Sequence, residues 1–360
     1  MFGNIYNGRR VFVTGHTGFK GSWLCLWLQA LGADVAGYSL EPQTEPGHYN
    51  LLGLDMASVI GDIRDGEKLK RAIGDHRPEA VFHLAAQPLV RYSYRHPVET
   101  FETNVVGTSN LLEACREPGS VRAIVNVTSD KCYENREWVW GYRESDALGG
   151  YDPYSASKAC QEIVAGAYRS SFFNPGEYGV SHQVLLASAR AGNVIGGGDW
   201  SEDRLIPDIV RAISENKKLL IRNPRASRPW QHVLDPLSGY LMLGQKLLEG
   251  RKEFAEGWNF GPEAEAEVED VVKGIKRFWD RFEYEIQPDG AGRHEAGALK
   301  LDCSKARKRL KWRPNWDREK TFGVTAQWYK RFHEEGRAGS RDDLDGYVED
   351  AGNGHLEWTA

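Results

Sequence analysis

Residues 9–21 read RRVFVTGHTGFKG. An apolar, β-branched run stops at Gly15, and glycine returns at Gly18 and Gly21 before an apolar-rich stretch that runs to about Leu31. No other feature restricts the fold as much. Glycines three apart between a strand and a helix allow a tight turn, a close backbone approach to a pyrophosphate and close packing of helix on strand. The spacing alone is weak, since 39 of the 360 residues are glycine, and a plain strand-to-helix connection would also produce it. The rest of the chain decides. Strand-like runs recur at 34–40, 58–63, 80–86, 122–129 and 183–191, with helical patterns at 67–76, 98–115 and 155–173 between them. Such alternation predicts an α/β fold, a Rossmann-type doubly wound parallel sheet, across residues 1–191.

Past residue 191 the pattern loosens around Gly196–Gly198 and a series of prolines, although 204–217 and 236–250 still read as amphipathic helices. Residues 192–335 are expected to form a smaller α/β substrate-binding lobe, with some chain returning to the first domain. The polar, Gly-rich end, 336–360, reads as a mobile tail.

Composition narrows the function. A net charge of −5 provides no basic field for nucleic acid. No apolar stretch is long enough to span a membrane, and the first residues lack the apolar run of a signal peptide. The five cysteines are scattered, which fits reduced thiols and a cytoplasmic protein. Histidines show no metal-ligand spacing, so no metal is expected. Twelve tryptophans are many, and part of that aromatic surface is expected to line a site or an interface.

The glycine segment, with Gly15, His16, Thr17, Gly18, Phe19, Lys20 and Gly21, is thus the expected dinucleotide cradle, its helix N-terminus offering N–H groups to phosphates. An acidic residue commonly ends the second strand of such a unit and holds the ribose of NAD. Here Ser39 and Leu40 fall there, Glu41 comes one step late, and Arg64 is a candidate positive charge nearby. NAD is expected, with NADP left open.

Two further pieces carry chemistry. At the end of the fifth strand-like run stand Ser129, Asp130 and Lys131, where ligands meet such sheets. In YSASK, Tyr154 and Lys158 lie four apart on one helical face. A lysine ammonium beside a nicotinamide ribose would ease ionisation of the tyrosine, which could then take a proton from a substrate hydroxyl.

Taken together, residues 9–330 resemble the extended, sugar-nucleotide-modifying branch of the short-chain dehydrogenase/reductase superfamily. Further matching pieces are GDIRD (61–65), HLAAQ (83–87), the TNVVGT run and RAGNVIGGGDW (190–200). The resemblance implies cofactor contacts from Asp62, Ile63, Leu84, Ala85, Ala86, Asn104, Tyr154 and Lys158. It implies substrate contacts from Asn193 and Arg228. Arg204 is a further candidate, because arginine suits bidentate phosphate recognition. Gln87 and Arg91 follow the fourth strand and would reach either the hexose or solvent. His294 is a weaker phosphate candidate.

The run TSDK separates activities within this branch. An epimerase or simple dehydrogenase needs the hydroxyl and the Tyr/Lys pair alone. A 4,6-dehydratase also needs a base for the C5 proton and an acid for the departing C6 hydroxyl. In dTDP-glucose dehydratases the run resembles Thr-Asp-Glu, and this chain departs from that with Lys131. TGHTGFKG, TSDKCY and LKLDCSKA instead resemble the CDP-glucose 4,6-dehydratases. That resemblance implies CDP-glucose as substrate, Asp130 as acid and Lys131 as base, with the exchange of those roles left open. It also implies a homodimer built through the helices near 98–115 and 155–173. The alternatives are a nucleotide-sugar 4-epimerase and a catalytically silent dinucleotide-binding scaffold.

Overall fold

The computed structural model describes residues 1–117, 119–287 and 298–360. Strands β1 (Arg10–Thr14), β2 (Asp34–Ser39), β3 (Ala57–Ile60), β4 (Ala80–His83), β5 (Ala123–Val127) and β6 (Leu185–Ala191) form one parallel sheet with the later strand Gly257–Phe260. From one edge to the other the order is Gly257–Phe260, β6, β5, β4, β1, β2, β3. The strands read as unbroken apolar runs because helices cover both faces. In β1, Val11 and Val13 feed a core containing Trp23, Leu24 and Trp27, while Phe12 between them feeds the opposite core of Leu69, Ile73 and Leu111. Each such side chain contributes about 1.5–3 kcal/mol on full burial.

Strand order reverses at β1, which pairs with β2 on one side and β4 on the other. That is a topological switch point, and the crevice beyond its carboxyl ends is where such sheets take ligands. Helix α1 (Phe19–Ala30) starts there.

Beyond β6 the chain builds helix Leu205–Ser214, helix Val268–Phe278 and small strand pairs. Leu219–Ile221 pairs with Tyr284–Ile286, and Ser227–Arg228 with Ala266–Glu267. Between them the helix Leu234–Leu248 packs back on β5 and β6, and Gly257–Phe260 pairs with β6.

The mobile tail expected at 336–360 is instead a helix, Ser340–Asn353, followed by a short turn Glu357–Thr359. Its polar composition hides Leu344, Tyr347, Ala351, Leu356 and Trp358, all buried. Tyr347 donates to Asp235 Oδ1 at 2.8 Å, and Trp358 stacks on Phe2 with ring centroids 5.2 Å apart. Trp23, Trp27, Trp258, Trp312, Trp328 and Trp358 are fully buried core residues, whereas Trp140 is exposed. Among the described residues no helix is long and apolar enough to cross a membrane.

Candidate active site

The glycine loop leaves β1 and turns back at Gly15, whose φ of +75° lies in the left-handed region. A Cβ at Gly15 would stand 2.7 Å from the backbone nitrogen of Ala85 and 2.8 Å from the carbonyl carbon of Leu84. The loop therefore presses on the segment Leu84–Ala86 leaving β4, whose first two N–H groups donate to Thr14 Oγ1 at 3.2 Å. A Cβ at Gly21 would collide with the Gly15 carbonyl, so α1 starts directly against the turn. Gly18 caps α1 without a side-chain hydrogen bond, leaving the first-turn N–H groups, those of Phe19 and Lys20 among them, available to an anion. This cradle fits a dinucleotide diphosphate.

His16 is buried, bonded through Nε2 to Ser58 Oγ at 2.8 Å, with its ring against Gly37 on β2. Burial brings it down to about 4, opposed by the Tyr38 backbone, so it is neutral at physiological pH. Thr17 bonds Ser39 Oγ and the Leu40 carbonyl, both at 2.8 Å. A hydroxyl pair thus takes the place of the acid missing from the end of β2. Asp62, which precedes the buried Ile63, grips Arg64 with contacts down to 2.6 Å, and Glu102 lies 3.4 Å from the same guanidinium. Arg64, expected to offer positive charge, is neutralised where it stands.

Asn104 sits in a π turn, Glu102–Val106, an irregularity that recurs at functional sites. Its carbonyl accepts from Gln87 N at 2.8 Å and its amide donates to Ser157 Oγ at 2.8 Å. It ties the β4 exit to the helix Pro153–Ser171, which carries Tyr154 and Lys158. Gln87 donates to Thr100 Oγ1 and accepts from Leu89 N. Its side chain is engaged in shaping its own loop.

After β5, Ser129 caps a single 3-10 turn, Asp130–Cys132, accepting from Lys131 N at 3.2 Å. Its hydroxyl donates to Asp130 Oδ1 at 2.9 Å and also interacts with the Tyr154 phenol. Asp130 is 4 % exposed. Burial raises its carboxyl above the usual range, against the pull of Lys131, Ser129, Arg228 and Lys20. A Cβ at Gly192 would lie 3.0 Å from Asp130 Oδ2, so the run containing Asn193 backs directly onto this carboxyl. Lys131 is half-buried.

Tyr154 is also buried, and burial lifts its phenol to about 12, with Ser129 opposing the rise. Lys158 is brought down to about 7, first by burial and then by the charge of Lys20. In the chain by itself, then, tyrosine and lysine each lean toward the neutral form. The amine of Lys158 donates to Gln161 Oε1 at 2.9 Å.

Lys20 itself reaches into the constellation. Burial and Arg204 lower it to about 8, while Asp130 and Asp199 pull the other way. Arg204 caps the helix Leu205–Ser214 and pairs with buried Asp199 at 2.9 Å. Arg91 and Arg222 both approach Asp203, at 3.5 and 3.6 Å. Arg228 donates to the Ser227 carbonyl and lies within electrostatic range of Asp130. His294 lies outside the described residues.

The structure therefore brings Ser129, Asp130, Lys131, Tyr154, Lys158, Lys20, Arg204 and Arg228 into one neighbourhood at the strand ends. Sequence reasoning missed Asp199 and Gln161. Asp199 carries no local signal, but Gln161 lies three residues beyond Lys158, a spacing that shares a helix face.

Known proteins share the sequence pattern and the fold. Residues 12–323 match the model of the GDP-mannose 4,6 dehydratase family. A CDP-glucose 4,6-dehydratase of Salmonella typhimurium is 55% identical over 331 residues, 91% of this chain and 92% of the relative. A dTDP-glucose 4,6-dehydratase from Streptomyces venezuelae, solved with NAD, superposes with a TM-score of 0.74 at 27% identity, covering 91% of this chain and 99% of its own. The fold is shared more widely. An epimerase from Methanothermobacter thermautotrophicus gives a TM-score of 0.79 at 24% identity, covering 92% of this chain and 95% of that one. The chain belongs to the GDP-mannose 4,6 dehydratase family, within the extended short-chain dehydrogenase/reductase superfamily.

Proposed function

We propose that this protein is a CDP-glucose 4,6-dehydratase, an NAD-dependent hydro-lyase that converts CDP-glucose to CDP-4-keto-6-deoxyglucose and water. The observation that carries the proposal is the buried Asp130, raised toward its protonated form and joined through Ser129 to Tyr154. A simple epimerase would have no use for it. The 55% identical Salmonella relative supports the same reaction and the CDP-sugar.

Bound NAD supplies reversible two-electron redox chemistry, oxidising the sugar at C4 and reducing it at C6. The chain does the rest. Tyr154, with Ser129 beside it, takes the proton of the C4 hydroxyl. Lys131 takes the C5 proton, which the C4 ketone has made acidic. Asp130 gives its proton to the C6 hydroxyl, which leaves as water. Lys131, its proton exchanged with solvent, then protonates C5, and the proton taken up by Tyr154 passes through Ser129 to restore Asp130. Lys158 holds the cofactor ribose, and the cradle of Gly15, Gly18 and Gly21 holds the diphosphate. Arg204 and Arg228 face the substrate diphosphate, with Asn193, next to the Gly192 that backs on Asp130, for the hexose. The Asp62 and Glu102 carboxylates around Arg64 disfavour a 2′-phosphate and support NAD over NADP.

The cysteines Cys25, Cys115, Cys132 and Cys303 are buried free thiols, which supports a reducing compartment, the cytoplasm. Exposed Val98, Phe101, Val106 and Ile163 lie on helices that pack together and support a homodimer through that face.

The test is incubation of the full chain with CDP-glucose and NAD in deuterated water, followed by proton NMR. A 4-keto-6-deoxy product with deuterium at C5 and no net cofactor reduction is expected. A hexose inverted at C4 that keeps its C6 hydroxyl would overturn the proposal in favour of an epimerase.

A further inference from the structure

One residue in the site has a geometry that no motif assigns. Gln161 is 1 % exposed, on the same helix as Tyr154 and Lys158. Its Oε1 accepts from Lys158 Nζ at 2.9 Å, and its Nε2 donates to Asn126 Oδ1 at 2.9 Å. Asn126 lies on β5 beside Ser188 of β6, and its amide approaches Ser188 Oγ at 3.5 Å. The amide of Gln161 is therefore fixed from behind by the sheet. With its Nε2 engaged by Asn126, the amide presents its oxygen to the amine. A carboxylate is available one residue later, yet Glu162 is turned away onto Arg190 at 2.8 Å and onto Thr128. The site places a neutral acceptor where an ion pair was within reach.

We propose that Gln161 is a positioning residue for Lys158: it aims the amine at the cofactor ribose through a neutral acceptor in place of a counter-ion, so that the protonation of Lys158 governs the hold on the cofactor. The inference rests on the reading of Lys158 as the ribose contact. Of the three N–H donors of an ammonium, one goes to Gln161, which leaves two for the ribose. A buried amine whose hydrogen-bond partner is neutral is dominated by desolvation, and Lys158 accordingly falls to about 7.

The other ionisable groups around Lys158 do not replace this partner. From β4, His83 is buried and brought down to about 3, so it stays neutral above pH 5. From the turn after β5, Cys132 is held in its thiol form by burial. On the same helix, Glu162 is occupied by Arg190. From α1, Lys20 adds a positive charge that titrates separately, near 8.

The consequence is directional. Below about pH 7 Lys158 is charged and the chain holds NAD; as pH rises through that value the charge and the affinity fall together. Gln161→Glu would keep an acceptor of the same shape but supply the missing counter-ion, which favours the ammonium by about 1–3 pH units. Gln161→Leu would remove the acceptor and favour the neutral amine.

The experiment is calorimetric titration of the full chain, freed of cofactor, with NAD between pH 6 and 9. Wild type, Gln161→Glu, Gln161→Leu and Lys158→Met are compared. In wild type the affinity is expected to decline from about pH 7, approaching tenfold per pH unit. In Gln161→Glu the decline should start at least one unit higher, and in Gln161→Leu it should start lower. If the decline keeps its midpoint in both Gln161 variants, with at most a uniform loss of affinity, Gln161 is a packing residue and the inference is overturned. Lys158→Met separates the two levels of the argument. Loss of the decline near pH 7 in that variant upholds Lys158 as the titrating contact, whatever Gln161 does. A decline that still begins near pH 7 in Lys158→Met, as distinct from the Lys20 step near 8, overturns the reading of Lys158, and the inference with it.

Discussion

At the scale of the residue, Asp130 and Lys131 are neighbours in sequence with different surroundings. Asp130 is buried and raised, and Lys131 is half-exposed. The buried member is suited to carry a proton to the leaving hydroxyl, and the half-exposed one can exchange with solvent. Removing either general acid or general base is expected to lower kcat by about 10²–10⁴-fold. The two losses are distinguishable. Lys131→Ala should abolish deuterium incorporation at C5, and Asp130→Asn should retain that exchange while dehydration stalls. Both follow from proton NMR in deuterated water, and the opposite pattern would exchange the two roles. These residues were legible in the sequence because they are contiguous and sit at a strand end. Lys20 was legible only as part of a cofactor loop. Its approach to Asp130 and Lys158 depends on how α1 sits against β1 and β2, which spacing does not encode.

At the scale of the element, the strands of the main sheet were readable because burial on both faces leaves continuous apolar runs, as in β5 and β6. The last helix was not. Between charged residues, Leu344, Tyr347 and Ala351 repeat at helical spacing, but glycine and aspartate mask the stripe. That helix carries a pH-sensitive contact. Asp235 accepts from Asn315 N at 2.7 Å and from Tyr347 at 2.8 Å, and burial raises its carboxyl to about 7. Its unfolded value is about 3.9. Between these values the folded chain binds more protons than the unfolded one, so this group's contribution to stability declines as pH rises from about 4 to about 7. Asp235→Asn removes the titration. The melting temperature of the wild type relative to this variant is expected to fall across that window by thermal denaturation, and a constant difference would refute the assignment.

At the scale of the whole molecule, the switch point at β1, between β2 and β4, gathers the cofactor loop, the Tyr154 helix and the turn after β5 at the carboxyl ends of the strands. The helices at 97–114 and 153–171 leave Val98, Phe101, Val106 and Ile163 outward. A homodimer through them predicts that Phe101→Asp combined with Ile163→Asp yields monomers in sedimentation equilibrium, with the fold retained by circular dichroism. An unchanged molecular mass would assign the pairing surface elsewhere. Alternation of strand and helix made the first half of this architecture readable. The return of Gly257–Phe260 to the sheet edge was not readable in detail, because four residues carry too little periodicity to declare a partner.

Helix α1 follows the first strand in the chain, yet Trp27 is covered in part by Tyr347 and Trp358, at ring distances of 5.6 and 5.4 Å. On a ribosome adding about 5–20 residues per second, the indole of Trp27 waits roughly a quarter of a minute to a minute for those partners to be made. Through that interval Trp27 has Phe2 beside it, at a ring distance of 5.9 Å, but lacks the cover of the last helix. The packing around α1 is therefore completed only after the last helix has been synthesised.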